Sequence, residues 1–533
     1  MIRTTKFSKA LAALFAVLMV VSMMAPVAGA SVAADAGDAT PTMEGAGDVP
    51  AVSDDVSYAQ ASDGEFAQQD ADEVEIDPAL ERKFEGDAEA EGDTVDVVVR
   101  LSPADASGVQ GREATVDALK SHASETQRNV VRFAQMSEHV DLERQFWITN
   151  AVLLEVDPDR ITLEEIASAE GVERLHVNFE VTTAQASGGN GSAAGSSTNE
   201  TAATNETGAD DSAEGTTPAA DTEPIAPSSM RAENYSTTDG LDMVNATEVW
   251  DAYNTQGEGV EVAVLDTGMD DSHPDLPELD DEHWQAWDSD GNPIDSEPSD
   301  SSGHGTHVSW TVAGAESPAG DVPTFGVAPD VELYHGQVIP GGGGSFTQVA
   351  AGMEWAVDTA GVDIISMSLG AGGYYTEMIE PSENARDAGV ILVASAGNGG
   401  AGTSGSPGNV YPNFASGAVD ENADVAGFFG GETVDTSSAW GSDAPDDWPD
   451  EYVVPNAAAP GVDVLSSVPG GGYDGTYSGT SMSAPHKTGV FALVLSAAGG
   501  GLDRQTAIEA IEDTAWKPDD APEPPGTPDT RYG

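Results

Sequence analysis

The 533-residue sequence contains no cysteine and few basic residues. Without cysteine there is no disulfide framework, no thiolate nucleophile and no cysteine-ligated metal. Lysine and arginine together number 19, of which six are lysine, against 93 aspartates and glutamates, so the formal net charge is −74. A surface this acidic repels nucleic-acid phosphates and anionic lipid headgroups, which argues against nucleic acid as a partner. It is typical of extreme halophiles, where high salt screens the self-repulsion. A wholly disordered acidic chain is the alternative, but it does not fit the apolar runs of the C-terminal half.

Apolar runs long enough to cross a membrane are also scarce. The first run, Ala10–Met24, follows Arg3, Lys6 and Lys9 and precedes the small-residue sequence Ala28-Gly29-Ala30. It is short for a membrane span but has the layout of a cleaved export signal. We therefore predict a Sec-type signal peptide over residues 1–30, an extracellular protein, and membrane contact only during export. An uncleaved anchor or a lipid-linked form is the lesser alternative.

Two stretches of low complexity divide the remaining chain. Residues 31–92 and 185–230 are rich in small and acidic residues and lack apolar periodicity, which predicts a disordered segment and a flexible linker. Between them, residues 93–184 show alternating strand and helix patterns. The predicted strands are Thr94–Leu101, two strands around Asn150 within Phe146–Val156, and Val172–Val181; the helices are Glu113–Met136 and Ile161–Ala169. This order predicts a small α+β domain of ferredoxin-like arrangement.

The second ordered region is expected to span residues 231–533. Its short apolar strands alternate with helical segments, which predicts an α/β domain with a parallel sheet flanked by helices. Sites in such sheets form beyond the carboxyl ends of the strands. The strands are Val260–Leu265, Val331–Tyr334, Asp363–Ser368 and Val390–Ala394, and the helices include Phe346–Val357 and Ile379–Ala388.

Three segments place reactive side chains where such a site forms. A buried strand pattern ends on Asp266, glycines flank His304, and Ser481 precedes an apolar run that begins at Val490. An imidazole exchanges protons at neutral pH, and a helix N-terminus favours a developing negative charge. Each residue alone has a simpler explanation, since aspartate favours turns and serine favours helix N-caps.

Together these residues form a candidate catalytic triad. Asp266 would fix the tautomer of His304, and His304 would take the proton of the Ser481 hydroxyl. The chain order Asp, His, Ser differs from the order Ser, Asp, His of the α/β-hydrolases. Their nucleophile elbow also needs a glycine two places after the serine, where this chain has Ser483.

With DTG at Asp266, HGTH at His304 and GTSMSAPH around Ser481 in this order, the sequence resembles the subtilisin-like serine proteases from about Tyr235 onward. The resemblance implies a secreted serine endopeptidase that hydrolyses protein or peptide substrates through an acyl-enzyme. It also implies an oxyanion hole formed by Asn398 and the backbone N–H of Ser481. The fold implied is a subtilisin-like parallel sheet flanked by helices. The ferredoxin-like segment then resembles the propeptide, an intramolecular inhibitor that a zymogen removes by self-processing.

The resemblance further implies two edges that pair with an extended substrate backbone and a wall for the side chain next to the cleaved bond. The small residues at these positions suit a close approach of substrate. The implied substrate-binding residues are Gly342, Gly343, Gly344, Ser368, Leu369, Gly370, Ser395, Ala396, Gly397, Pro407 and Gly408.

No cofactor is required for this chemistry. The loop from Asp288 to Asn292 superficially resembles a calcium loop, yet it lacks the terminal glutamate at EF-hand spacing. We predict that the whole carboxylate-rich run from Asp270 to Asp300 is a solvated loop, and structural calcium, which the resemblance suggests, stays open without assigned ligands. HGTH lacks the glutamate of a zinc HExxH motif, and His307 and His486 are predicted to be structural. His335 is predicted to be packed or exposed and not to be a ligand.

Three features depart from the family pattern. Trp310 stands where a glycine is usual, and its ring is expected to overpack the helix that carries His304. Lys487 and Thr488 replace a small apolar pair, which puts a charge into a helix expected to be buried. The chain ends at Gly533, where related domains continue into one more helix, so we expect the peptidase domain to lack its last helix. These departures favour the alternative function, an impaired or truncated homologue that acts as a surface or binding domain.

Overall fold

The computed structural model describes residues 67–86, 94–183, 237–273, 279, 282–319, 321–518, 521 and 527–533. The predicted signal peptide and linker lie outside these residues. Among the described residues, no helix is long and apolar enough to cross a membrane. They form two compact units. The first comprises the residues up to Asn178 with Ala498–Thr514, and the second comprises Phe179–Ala497 with Ala515–Gly533.

The first unit is a five-stranded sheet with helices. Its sheet has the order β1-β5-β2-β4-β3, in which only β1 and β5 are parallel. Apolar side chains that alternate along β2 and β4, such as Val97, Val99 and Leu154, are fully buried in the core. The strands are β1 (Glu75–Ile76), β2 (Val95–Leu101), β3 (Val140–Phe146), β4 (Ala151–Val156) and β5 (Val172–Val177). The helices are α1 (Pro78–Phe84), α2 (Arg112–Thr126), α3 (Arg128–Met136) and α4 (Leu163–Ala167).

The prediction of disorder over residues 31–92 is wrong for residues 67–86. These residues form a short 3-10 turn, β1 and α1, and Asp77 caps α1 by accepting a hydrogen bond from Ala79 N. Leu80 is fully buried in the core, whereas Glu75 and Glu81 are exposed. The acidic residues therefore lie on the solvent side of short amphipathic elements, and composition alone does not reveal these elements.

Other boundaries also differ from the predictions. The helix predicted over 113–136 divides at Gln127, a buried residue whose side-chain amide donates to Phe146 O at 2.8 Å. The strand before Asn150 is Val140–Phe146, so it ends where the predicted pair of strands was to begin, and Asn150 has a left-handed φ of 36° in the turn that follows. The last predicted strand stops at Val177 and resumes two residues later as a separate strand.

The second unit is built on an eight-stranded sheet of order β19-β16-β14-β12-β7-β10-β8-β9. All neighbours are parallel except β8 and β9, so the predicted parallel sheet is in fact mixed at one edge. Its strands are β7 (Glu261–Asp266), β8 (Trp284–Trp287), β9 (Pro293–Ile294), β10 (Glu332–Gln337), β12 (Ile364–Met367), β14 (Ile391–Ser395), β16 (Phe414–Val419) and β19 (Ala457–Pro460). The central strands are runs of buried apolar residues, as expected for strands covered on both faces.

A second, four-stranded sheet of order β11-β6-β13-β15 lies in the same unit. It contains β6 (Glu180–Thr183), β11 (Gly343–Ser345), β13 (Leu369–Gly372) and β15 (Gly405–Ser406). Two hairpins complete the strands, β17 (Glu432–Asp435) with β18 (Glu451–Val454), and β20 (Val464–Val468) with β21 (Gly472–Tyr477).

The helices of the second unit are α5 (Asp239–Val244), α6 (Ala246–Tyr253), α7 (His304–Ala313), α8 (Phe346–Glu354), α9 (Ile379–Asp387), α10 (Thr436–Trp440) and α11 (Thr480–Ala497). A π-helical turn, Trp355–Thr359, follows α8. The helix α12 (Arg504–Thr514) comes after α11 in the chain. Helix α11 packs on α7, β12, β14 and β16, which explains why every residue from Thr480 to Gly489 is buried.

Candidate active site

Asp266 and His304 lie in direct contact at the carboxyl end of β7. Asp266 is the last residue of that strand, and both side chains are almost fully buried, at 0% and 1% exposure. His304 Nδ1 is 2.6 Å from Asp266 Oδ1, and the same oxygen accepts from Thr267 N at 2.7 Å. His304 Nε2 has no hydrogen-bond partner in the part of the chain that the structure describes. The carboxylate thus fixes one ring nitrogen and leaves the other for proton transfer.

Asp300 holds the start of α7 in place. Its Oδ1 accepts from Ser302 N at 3.0 Å, Gly303 N at 2.9 Å and Thr267 Oγ1 at 3.0 Å. Its Oδ2 accepts from the backbone N–H and hydroxyl of Thr306 at 2.9 and 2.7 Å. One carboxylate therefore joins the first turn of the His304 helix to the residue that follows Asp266 and fixes their relative positions.

Two glycines allow this close geometry. Gly303, the N-cap residue of α7, has a left-handed φ of 86°. A Cβ atom at Gly305 would lie 2.1 Å from the carbonyl oxygen of Gly268. The glycines on both sides of His304 are therefore required for the helix to begin against the turn after Asp266.

Ser481 lies in the first turn of α11, as the sequence predicts, and it is fully buried. Its hydroxyl donates to Ser368 O at 3.1 Å, and the Ser368 hydroxyl donates back to Ser481 O at 2.8 Å. Asn398 Oδ1 accepts from the N–H and hydroxyl of Thr480 at 2.9 and 3.1 Å. This pairing fixes the carboxamide of Asn398 beside the start of α11.

The predicted substrate edges are occupied by a strand of the chain itself. Strand β6 lies between β11 and β13 and is antiparallel to both. On the β11 side, Gly343 pairs with Thr182 and Gly344 pairs with Val181. On the β13 side, Leu369 pairs with Thr183 and Gly370 pairs with Thr182. Because the strands are antiparallel, β6 runs toward Ser368, the partner of Ser481. Gly342 precedes β11 in a short 3-10 turn.

The residues predicted to form the wall lie together beside β13. Ser395 Oγ donates to Leu369 O at 3.2 Å, and Gly397 N donates to Thr480 Oγ1 at 3.2 Å. Ala396 O accepts from Gly405 N in β15 at 3.1 Å. Pro407 follows a cis peptide bond, and a Cβ atom at Gly408 would lie 2.2 Å from Ser395 O. The structure thus brings all five wall residues near the substrate edge.

The histidines predicted to be structural are buried within the packing. His307 Nε2 is 2.9 Å from Val464 O, and burial lowers the pKa of His307 to about 3. His486 Nδ1 is 2.8 Å from Met482 O, and burial lowers its pKa to about 4. Burial also lowers the pKa of His335, whose Nδ1 is 2.9 Å from Ser309 Oγ. All three are neutral at pH 7.

Trp310 is accommodated rather than expelled. Its side chain is fully buried within an uninterrupted α7, and its ring centroid lies 6.0 Å from that of His273. His273 in turn contacts the ring of Tyr473 on β21 at 5.1 Å. The predicted overpacking of the helix by this ring is therefore absent from the structure.

Lys487 is the strongest departure from an apolar interior. It is 8% exposed on α11, and no carboxylate or hydrogen-bond acceptor for its ammonium is found among the described residues. Burial lowers the pKa of Lys487 to about 8. The neighbouring Thr488 is satisfied, because its hydroxyl donates to Ser366 Oγ at 2.9 Å.

The described residues contain no group of three or more histidines and carboxylates that could hold a metal ion. In the loop that resembles a calcium site, Asp288 Oδ1 accepts from Asp290 N and Asn292 N at 3.0 and 2.9 Å. The Asp288 carboxylate thus closes its own turn.

Sequence reasoning missed Asp300 and the residues around β6. Asp300 lies in the carboxylate-rich run that was predicted to be solvated, and no signal in the sequence separates it from the other aspartates of that run. Phe179, Phe346 and Tyr375 stack beside β6, and no local pattern connects residues so far apart in the chain.

Known proteins are similar to this chain over about half of its length. The model of the Subtilase family matches residues 257–533. The chain is 34% identical over 267 residues to subtilisin DY from Bacillus licheniformis, a match that covers 48% of this chain and 84% of that protein. It is 37% identical over 266 residues to the major intracellular serine protease of Bacillus subtilis, covering 48% and 75%. It is also 37% identical over 241 residues to alkaline elastase YaB from Bacillus sp. (strain YaB), covering 45% and 54%.

Proposed function

This chain belongs to the subtilase family and is a serine endopeptidase, and from that premise we propose that Asp266, His304 and Ser481 form its catalytic triad. The observation that carries this proposal is the buried 2.6 Å contact between Asp266 and His304 Nδ1. The contact selects the tautomer in which Nε2 accepts the proton of Ser481. The Ser481 hydroxyl, which donates to Ser368 O, then turns to His304 and attacks the substrate carbonyl.

We assign the oxyanion hole to the backbone N–H of Ser481 and the side chain of Asn398. The N–H lies in the first turn of an 18-residue helix, where the helix dipole favours negative charge. Thr480 holds the carboxamide oxygen of Asn398, so the amide nitrogen is directed away from Thr480. Both donors are positioned before reaction, which is the condition for strong stabilisation of the tetrahedral intermediate.

The protein is a self-processed zymogen in this proposal. Strand β6 follows the first unit directly in the chain and pairs with both substrate edges, as the acyl half of a substrate would. The strand order β5-β2-β4-β3 supports the ferredoxin-like propeptide. Thr183, the last residue of β6, pairs with Leu369, which follows Ser368 in the chain, so we propose that cleavage follows Ala184. The residues up to 184 then inhibit as a bound product until they are removed.

Secretion and adaptation to high salt complete the proposal. The export signal rests on residues 1–30, and the salt requirement rests on the net charge of −74. Full activity and an unchanged circular dichroism spectrum in dilute buffer would exclude the salt requirement. Intact protein recovered only inside the producing cells would exclude secretion.

Labelling with a fluorophosphonate in high salt tests the catalytic assignment. Wild type is expected to carry one label on the peptide that contains Ser481, and Ser481→Ala is expected to carry none. Ser483→Ala, which changes the next serine of the same helix, is the matched control and should label. A wild-type chain that folds by circular dichroism but does not label would contradict the triad. The alternative, an impaired homologue with a binding role, is favoured by one observation, the buried charge of Lys487.

A further inference from the structure

Two aromatic side chains of the second unit hold the residue that precedes β6. The ring of Phe179 lies 4.3 Å from that of Tyr375 and 5.1 Å from that of Phe346, with interplanar angles of 30° and 32°. Phe179 is only 8% exposed, and Phe346 is fully buried. We call Phe346 and Tyr375 the aromatic clamp.

The backbone at each member of the clamp is held by hydrogen bonds of neighbouring helix and strand residues. Phe346 begins α8 directly after Ser345, which forms a capping box with Gln348. Tyr375 N donates to Ser406 Oγ of β15 at 3.0 Å. Neither of these contacts involves β6, so both backbones are held by the second unit itself and little entropy is lost when the clamp binds an aromatic side chain.

The backbone sets which residue of a bound strand reaches the clamp. Phe346 N donates to Phe179 O at 3.0 Å, which extends the ladder between β6 and β11 by one residue. Along this strand Phe179 and Val181 are buried, whereas Glu180 and Thr182 are exposed. This alternation is typical of a strand that contacts the protein with only one of its two faces. Every second side chain of a strand bound in this register therefore faces the protein.

We propose that the aromatic clamp is a substrate subsite that selects an aromatic side chain five residues before the residue that supplies the attacked carbonyl. The inference rests on the proposed function, in which β6 occupies the acyl side of the cleft. Phe346 and Tyr375 remain with the peptidase after processing, and removal of Phe179 exposes their rings. Preferred substrates are extended protein segments with an aromatic residue at the clamp, an aliphatic residue two places later and a polar residue between them.

Kinetics with matched peptides test the preference. The reference peptide carries Phe-Glu-Val-Thr-Thr-Ala before the cleaved bond, a second peptide replaces Phe by Ala, and a third replaces Glu by Ala. Processed wild type is expected to cleave the Phe peptide with a kcat/KM about 10- to 100-fold above that of the Ala peptide, as for other apolar pockets. The Glu replacement should change kcat/KM less than threefold, about the size of a weak surface contact. Equal kcat/KM for the Phe and Ala peptides would overturn the proposal.

Two enzyme variants locate the preference. Tyr375→Ala is expected to reduce the ratio of kcat/KM between the Phe and Ala peptides to about threefold or less, since half of the clamp is lost. Tyr411→Ala, which removes an exposed tyrosine that packs on Trp448 and Tyr452 and contacts neither member of the clamp, should leave this ratio unchanged. If the ratio of kcat/KM between the Phe and Ala peptides is unchanged in Tyr375→Ala, the clamp is not the source of the preference.

A displacement measurement decides the proposal even if the chain has no catalytic activity. A fluorescent peptide ending in Phe-Glu-Val-Thr-Thr-Ala is titrated into the full-length Ser481→Ala chain and into the same chain with Phe179→Ala. Without its own aromatic anchor, the internal strand competes less well, so the peptide is expected to bind at least about tenfold more tightly. Glu180→Ala is the control and should bind the peptide as Ser481→Ala does. Equal affinity in the Phe179→Ala and control chains overturns the clamp. If the wild-type chain does not label with the fluorophosphonate, the catalytic assignment is overturned, and this outcome is separate from the test of the clamp.

Discussion

Replacing Lys487 by Met should stabilise the fold near neutral pH. The lysine is buried on α11, and burial lowers its pKa from 10.5 to about 8. Each pKa unit corresponds to about 1.36 kcal/mol, so keeping the ammonium charged at pH 7 costs the folded state about 3 kcal/mol. Methionine preserves most of the side-chain length without the charge. We therefore expect Lys487→Met to raise the free energy of unfolding at pH 7 by about 2–3 kcal/mol.

The pH dependence gives the sign of this effect. Because the pKa is lower in the folded state, the unfolded state binds more protons between pH 8 and pH 10.5. The stability of the parent chain should rise across this interval, and its difference from Lys487→Met should largely disappear near pH 10.5. Urea unfolding in molar KCl, in the Ser481→Ala background to prevent self-digestion, measures both curves.

Lys517 provides the matched control for this experiment. It is equally buried, but its ammonium contacts Asp529 Oδ2 at 2.6 Å and Thr527 O at 2.5 Å. Lys517→Met leaves the Asp529 carboxylate unpaired and should destabilise the chain by about 3–5 kcal/mol. A Lys487→Met chain that is less stable than its parent, or a pH-independent difference, would refute the assigned cost of the buried charge.

Three further predictions concern the site and its surroundings. Asn398→Ala should lower kcat by about 10²–10³ with little change in KM, because the donor acts in the transition state; equal losses in substrate binding would contradict this role. Asp300→Asn should lower kcat more than it raises KM, since it weakens five hydrogen bonds that fix the start of the His304 helix; a loss of stability with an unchanged kcat would argue for a structural role alone. The unfolding free energy of Ser481→Ala should fall as the pH drops below 6.5, because the buried histidines have lowered pKa values and the unfolded state takes up their protons first; a flat curve between pH 6.5 and 4 would show that these histidines are not buried.

The local parts of this structure could be predicted from the sequence. The strand that ends at Asp266 is an apolar run followed by a glycine turn, and the start of α11 at Thr480 precedes an apolar helix. Such patterns depend on neighbours in the chain, which one sequence displays directly. The alternation of strands and helices likewise predicted the main sheet, apart from its antiparallel edge at β9.

Long-range features could not be predicted in this way. The edge pairing of β6 joins residue 182 to residues 343 and 370, and nothing in the local pattern of Glu180–Thr183 specifies those partners. Asp300 is one carboxylate in an acidic run, and only its five donors distinguish it from solvated neighbours. Trp310 was expected to overpack its helix, whereas its ring packs near His273, a residue that lies far from it in the chain and that no local pattern connects to it.

Determination of the new N-terminus after expression in high salt tests the central claim most directly. Wild type should be cut once after Ala184, which gives a mature chain that begins at Gln185, and Ser481→Ala should stay joined at this bond. That result would show that Ser481 is needed to cleave the bond between Ala184 and Gln185, which follows β6 in the chain. Cleavage at the same bond in Ser481→Ala, or a folded wild type that remains joined there, would contradict the account.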